Sequence, residues 1–261
     1  MKRVVAISIA WILGATVAML AGVAGAAGPA EGEHEWSYTG ATGPAKWGKL
    51  GKDNAVCGTG GLQSPIDIPD ADVRKGDIPP LLFNYKTVPV KIIDNGHTIQ
   101  VNYPPGSFLT VDGKRFELVQ FHFHHPSEEK VNGKGHEMVA HLVHKSDDGK
   151  LAVVAVFLDP GSDNEVIKTL WKNLPATKGK EVTVDSAQIN ALHLLPKNKD
   201  YYRYEGSLTT PPCTENVTWL VLKTPTQVSG DEIARFGRIY PNNARPVQPR
   251  NDRDIVGSAS R

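Results

Sequence analysis

The sequence holds two cysteines, Cys57 and Cys213, and three methionines in 261 residues. Two thiols cannot close a four-thiolate structural zinc site or build the framework of a disulfide-dense mini-domain. Charge of one sign is also scarce. The 29 Lys and Arg residues stand against 28 Asp and Glu, a formal net charge of +1. No long basic run and no interleaving of basic with aromatic residues occurs, so no nucleic-acid partner is expected. No internal repeat or low-complexity linker divides the chain. A single domain is the expected organisation, since about 235 residues without the leader suit one sizeable core.

Long apolar runs are missing too, except at the start. Lys2 and Arg3 precede an apolar stretch from Val4 to Ala24, and the small residues Gly25, Ala26 and Ala27 follow. Charged start, apolar middle and small-residue exit are the three parts of a secretory signal peptide. That places the leader at residues 1–26 and the mature domain at 27–261. A retained anchor needs roughly 20 apolar residues, and Gly14, Thr16, Gly22 and Gly25 dilute this run. Cleavage takes the basic residues from 29 to 27 by removing Lys2 and Arg3, against 28 acidic. The expected location is periplasmic or secreted, with no stable membrane association after cleavage. Two cysteines far apart in an exported chain read first as a disulfide.

What is present is mostly strand. Val88–Ile93, Thr98–Tyr103, Ser107–Val111, Arg115–His124, Met138–Lys145, Leu151–Leu158 and Thr218–Leu222 are rich in β-branched and aromatic residues. Asp94–Asn95–Gly96, Asp112–Gly113, Asn132–Gly133 and Asp147–Asp148–Gly149 separate them as turns. Helical spacing is confined to Asn164–Leu174, headed by a capping box of Ser162 and Glu165, and to a shorter helix around Ile233–Phe236 headed by Ser229 and Glu232. The fold class is α+β and β-dominated rather than alternating βαβ.

The sharpest local feature is Gln120–Phe121–His122–Phe123–His124. Alternate residues of a strand share a face. Gln120, His122 and His124 therefore point one way, and Val119, Phe121 and Phe123 point into the core. Two imidazoles on one face reach a single ion, and His141, on a strand joined by a Gly-rich turn, is the candidate third ligand. His144 projects opposite His141, and His125 opposite His124, so neither joins the set. Three neutral nitrogens with one open position describe a catalytic zinc site. His136–Glu137 with His141 has the wrong spacing for a zincin helix. A rival reading stays open: His122-x-His124-x-x-x-Glu128 matches the first metal motif of cupins, which bind manganese or iron, although their preceding glycine and second motif are absent.

Gly206–Ser207–Leu208–Thr209–Thr210–Pro211–Pro212–Cys213–Thr214–Glu215 adds a second signature. Gln63–Ser64–Pro65–Ile66–Asp67, Asp94–Asn95–Gly96–His97, Ser127–Glu128, Ala140–His141–Leu142–Val143–His144 and Arg245–Pro246–Val247–Gln248–Pro249 complete a series in fixed order. With these motifs the chain resembles the α-class carbonic anhydrases, especially exported bacterial ones, from about Trp36 to Ile255. The resemblance implies a single domain with a central, twisted, mostly antiparallel sheet of about ten strands and a few peripheral helices. It implies zinc, one per chain, and reversible hydration of carbon dioxide to bicarbonate and a proton by zinc-hydroxide attack. Inhibition by sulfonamides and small anions comes with it; the oligomeric state, homodimer included, does not.

The resemblance also implies roles. His122, His124 and His141 would hold the zinc, and Thr209 would link the hydroxide to Glu128. His97 would be the proton shuttle, for which an unperturbed pKa of about 6.5 is suited. Val143, Val153, Leu208, Val217 and Trp219 would form the apolar wall for carbon dioxide, with Thr209 and Thr210 contacting substrate or solvent. Tyr38, Asn95, Gln100 and Gln120 would order water. Cys57 and Cys213 match the disulfide of exported members, bracing the loop that carries Thr209. Three positions depart from the family. Val139 stands where many members place a glutamate that receives the ring N–H of the third zinc histidine, a role that orients metal ligands. Glu129 replaces a common histidine, and His125 a common tryptophan. Glu137 lies two residues further back than the missing glutamate, so the partner of His141 is unassigned. Non-catalytic binding proteins of this kind lack a zinc histidine, whereas this chain has all three.

Overall fold

Period-two alternation, broken by turns that need left-handed backbone, becomes one large sheet in the computed structural model, which describes residues 35–258. Asp112 and Gly113, and Asn132 and Gly133, take the positive φ that their turns demand. The expected leader at 1–26 lies outside the described residues. Ten strands form the continuous path of the sheet, in the spatial order Val182–Ile189, Val88–Asp94, Ile99–Asn102, Lys114–His124, Met138–Lys145, Leu151–Pro160, Glu215–Leu222, Tyr201–Ser207, Val256–Ser258 and Arg74–Gly76. Pairing is mostly antiparallel. Leu151–Pro160 with Glu215–Leu222, and Val256–Ser258 with Arg74–Gly76, run parallel. Leu82–Asn84, Phe108–Val111 and Thr226–Val228 attach beside the path. The sheet is open, unlike the closed double sheet of a cupin.

The central strands are buried on both faces. Met138, Ala140, Leu142, Val154 and Val156 enter one apolar cluster, while Val139, Val153, Ala155 and Phe157 enter a second. In Lys114–His124, Phe116 and Leu118 share the first cluster with Phe121 and Phe123, which strict alternation forbids. A bulge between Leu118 and Gln120 resolves the parity by inserting one residue. Val119, expected in the core, is that residue and is 43% exposed.

Two helices cover the back of this strand. Glu165–Lys172 buries Val166, Ile167, Leu170 and Trp171 at helical spacing. Its cap is not Ser162. Asn164, nearer the helix, accepts from the amides of Val166 and Ile167. Ser229 and Glu232 do form a capping box, starting Gly230–Ile239, which is longer than the turn expected around Ile233–Phe236. Trp171 packs against Phe123 with ring centroids 5.2 Å apart and stacks on Phe236 at 5.7 Å. Each fully buried aromatic of this kind contributes about 1.5–3 kcal/mol, which anchors the strand from behind.

Candidate metal centre

With Phe121 and Phe123 anchored in the core, Gln120, His122 and His124 face the other way. Register places His122 directly opposite His141, and His124 opposite Val139. His122, His124 and His141 each offer one ring nitrogen, all lying within 4.8 Å of one another. Every ring is held by its other nitrogen. His122 Nδ1 donates to Gln120 Oε1 at 2.8 Å. His124 Nδ1 donates to the Asn243 carbonyl at 2.8 Å. His141 Nε2 donates to Glu129 Oε2 at 3.1 Å. The uncommitted nitrogens are thus His122 Nε2, His124 Nε2 and His141 Nδ1. His124 Nε2 is buried with no hydrogen-bond partner, a costly state that a metal ion relieves. The residues present fit a metal with three nitrogen ligands.

Burial, then the charge of His141, lowers His122 to about 3, and the same causes push His124 well below its ordinary value. Both rings are therefore neutral at physiological pH, as a metal ligand would have to be. Burial also opposes charge on His141, but Glu129, by charge and hydrogen bond, and Glu128 outweigh it and raise its pKa.

Glu128 is buried beneath the rings. Its Oε2 lies 3.5 Å from His124 Nε2 and 3.8 Å from His141 Nδ1, and its Oε1 accepts from the Arg245 amide at 2.7 Å. Burial drives its carboxyl up to about 8; Glu129 adds to the rise, while His141, the Arg245 amide and the Thr209 hydroxyl oppose it. Thr209 is thus close to the carboxylate, although Oε2 has no partner with hydrogen-bond geometry.

The loop that carries Thr209 is tied down at several points. Cys57 and Cys213 form a disulfide with Cα atoms 5.1 Å apart. The Cys213 amide donates to the Thr210 carbonyl at 2.8 Å, and the Leu208 amide to that of Thr214 at 2.9 Å. Gln63 Nε2 reaches the Cys213 carbonyl at 3.1 Å and Glu215 Oε1 at 2.9 Å. Arg245 donates to Gln63 Oε1 at 2.9 Å and to the Cys57 carbonyl at 2.9 Å. One arginine therefore joins the disulfide, this loop and, through its amide, Glu128.

Val143, Val153, Leu208, Val217 and Trp219 fall in one cluster, with Val143 and Leu208 half-buried and the others behind them. Val153 pairs with Val143 on one side and Trp219 on the other. The Trp219 ring meets that of His141 edge-on at 4.9 Å. His97 is half-buried and stacks on Trp36 at 3.7 Å; burial lowers its pKa, Glu35 opposes and Lys178 assists. Asn95 donates to Gln100 at 3.3 Å. The Tyr38 hydroxyl is buried without a partner. Thr210 is half-buried.

Sequence reading missed Asn243. Its carbonyl holds His124, its Nδ2 donates to the carbonyls of His97 and Phe123 at 3.0 Å each, and its Oδ1 accepts from the His125 amide at 2.8 Å. The second asparagine of Asn242–Asn243, just before the Arg245 motif, carries no signal for such a role. Glu129, which stands where the family commonly has a histidine, meets the ring of His141.

The family model for eukaryotic-type carbonic anhydrase matches residues 42–259. A carbonic anhydrase of Nostoc sp. is 45% identical over 226 residues, covering 85% of each chain. One from Neisseria gonorrhoeae is 43% identical over 230 residues, covering 87% of this chain and 90% of the relative. The solved α-carbonic anhydrase of Thermovibrio ammonificans, in complex with the inhibitor sulfanilamide, superposes with a TM-score of 0.83 at 42% identity, over 85% of this chain and 98% of that one.

Proposed function

The chain belongs to the eukaryotic-type carbonic anhydrase family, and from that premise we propose that it hydrates carbon dioxide reversibly to bicarbonate and a proton, using one zinc ion held by His122, His124 and His141. The observation that carries the zinc reading is the set of three restrained rings with uncommitted nitrogens converging on one point. A zinc ion held by these three rings would supply Lewis acidity, lowering the pKa of water toward about 7 and so providing hydroxide at neutral pH.

The remaining chemistry falls to the chain. Thr209 orients the nucleophile by donating its own proton to Glu128, which in its ionised form only accepts. The Arg245 amide and the Thr209 hydroxyl favour that ionised form against the burial that pushes the carboxyl up. Val143 and Leu208, backed by Val153, Val217 and Trp219, offer carbon dioxide an apolar surface, with Thr210 at its edge. His97 carries the released proton outward; its lowered pKa favours handing that proton to solvent. Tyr38, Asn95, Gln100 and Gln120 line the route as water partners, Gln120 while also holding His122.

Residues 1–26 act as an export signal, and residues 27–261 form the mature domain. The Cys57–Cys213 disulfide supports a periplasmic or secreted location, since such bonds persist in oxidising compartments. The sulfanilamide complex of the Thermovibrio enzyme supports sulfonamide inhibition here. Small anions compete for the same open position.

Metal analysis and carbon dioxide hydration by the purified mature protein test this reading together. One zinc per chain and sulfonamide-sensitive hydration are expected, with both lost in His122→Ala. A folded protein that retains zinc yet shows no hydration overturns the catalytic reading.

A further inference from the structure

Three rings converge on the metal centre, and each needs an acceptor behind it. Gln120 and the Asn243 carbonyl serve two of them. The third, His141, has no acceptor on its own strand. Val139, two residues back and on the same face, is apolar and packed with Ile66, Ile68, Val153 and Phe157.

Glu129 takes up the ring from another direction. It sits on the loop just before the short strand Lys130–Val131, whose pairing with Asp67–Ile68 sets the backbone there. Its side chain is wholly buried, with Oε1 3.0 Å and Oε2 3.1 Å from His141 Nε2. No lysine or arginine is paired with this carboxylate among the described residues; the His141 ring is its one ion-pair partner. A buried carboxylate is costly unless it is paired and hydrogen-bonded. What this one secures is a direction: with Nε2 bound as the N–H donor, Nδ1 keeps its lone pair and points toward the other two rings.

We propose that Glu129 is the positioning residue of His141, supplying from position 129 the carboxylate that position 139, a valine in this chain, does not. The inference rests on the zinc reading above. Glu129 meets the Nε2 side of the ring, away from the uncommitted Nδ1; it acts through His141, fixing its tautomer and ring angle and raising its basicity as a ligand.

Zinc dissociation from the loaded mature protein into excess chelator tests it without reference to activity. Glu129→Ala should lose zinc about 10–100-fold faster than wild type. Glu129→Gln, whose amide oxygen still accepts the N–H, should fall between them. The double variant Glu129→His with Val139→Glu returns the carboxylate to the strand and should recover most of the loss that Glu129→His alone causes. A folded Glu129→Ala protein that releases zinc at the wild-type rate overturns the inference and leaves the zinc reading intact. A wild-type protein that takes up no zinc overturns both. Should the variants not fold, nitrogen-15 spectra of the loaded wild type decide. A metal-bearing histidine with a strongly hydrogen-bonded Nε2–H supports the proposal, and its absence overturns it.

Discussion

His141 and His144 lie three residues apart on one strand, on opposite faces of the sheet, and their exposures are 1% and 0%. Burial alone would drive both toward the neutral form. Only His144 follows, falling to about 4, while His141 rises. The difference is in what each ring meets. His144 Nε2 accepts from the Tyr85 hydroxyl at 2.6 Å, and its Nδ1 faces the Ala152 carbonyl at 3.3 Å. His141 has two carboxylates, Glu128 and Glu129, within 4 Å. One face of the sheet makes a histidine a neutral strut. The other sets it between two carboxylates. Neighbours, not depth, decide the role.

The largest effect that separates the two faces should come from removing each ring. His141→Ala deletes a ligand, and the loss in zinc affinity should exceed the about 100-fold that loss of an outer partner causes. His144→Ala should leave zinc affinity near wild type yet lower folding stability by about 2–4 kcal/mol, through a cavity and an unpaired Tyr85 hydroxyl. Chelator competition and denaturant unfolding measure these two losses separately, and a strong zinc defect in His144→Ala breaks the comparison.

A second contrast is in acid. Folded His144 stays neutral down to about pH 4, whereas an unfolded histidine protonates near 6.5. Between those values the unfolded state binds the extra proton, so stability falls as pH drops through that window. His144 costs the fold nothing above the unfolded value, and the loss it causes reaches about 3 kcal/mol by the lower end of the window. Unfolding of His144→Gln across that range should show a flatter acid slope than wild type, and an unchanged slope would assign the loss to other groups. The smallest effect is expected for Tyr85→Phe. Removing one hydrogen bond to His144 should cost about 1 kcal/mol, with zinc release unaltered.

The sequence carried the parts of this centre that obey short-range rules. Alternation on Gln120–His124 orients its residues, and Met138–Lys145 has the bounds its composition suggested. The Ser229–Glu232 box is present. Val119 broke the alternation because a bulge is a two-strand property, settled by how Leu118 and Gln120 meet their partners. Asn164 displaced Ser162 as cap because both residue types cap well and only the helix start decides between them. Tyr201–Ser207 and Val182–Ile189 carry weaker strand signals: the first puts buried Tyr201 and Ser207 on the same face as exposed Glu205, and the second shifts register between Val184 and Gln188. The partners of the rings were least legible. A backbone carbonyl such as that of Asn243 has no residue signature, and Glu129 reads as an ordinary acidic neighbour until His141 is seen beside it.

Asn243 and Arg245 also bear on the order in which the chain becomes competent. They hold His97, His124 and Glu128, although they stand more than a hundred residues downstream of them. Synthesis proceeds from the N-terminus, so the strands bearing the three rings emerge well before the two residues that steady them. Until those arrive, His124 lacks its acceptor and Glu128 its amide donor. A chain stopped short of Asn243 keeps the acceptors of His122 and His141 but lacks the one that aims His124. The last stretch of the chain thus closes the centre, supplying the one ring acceptor and the carboxylate's amide donor that the strands do not carry.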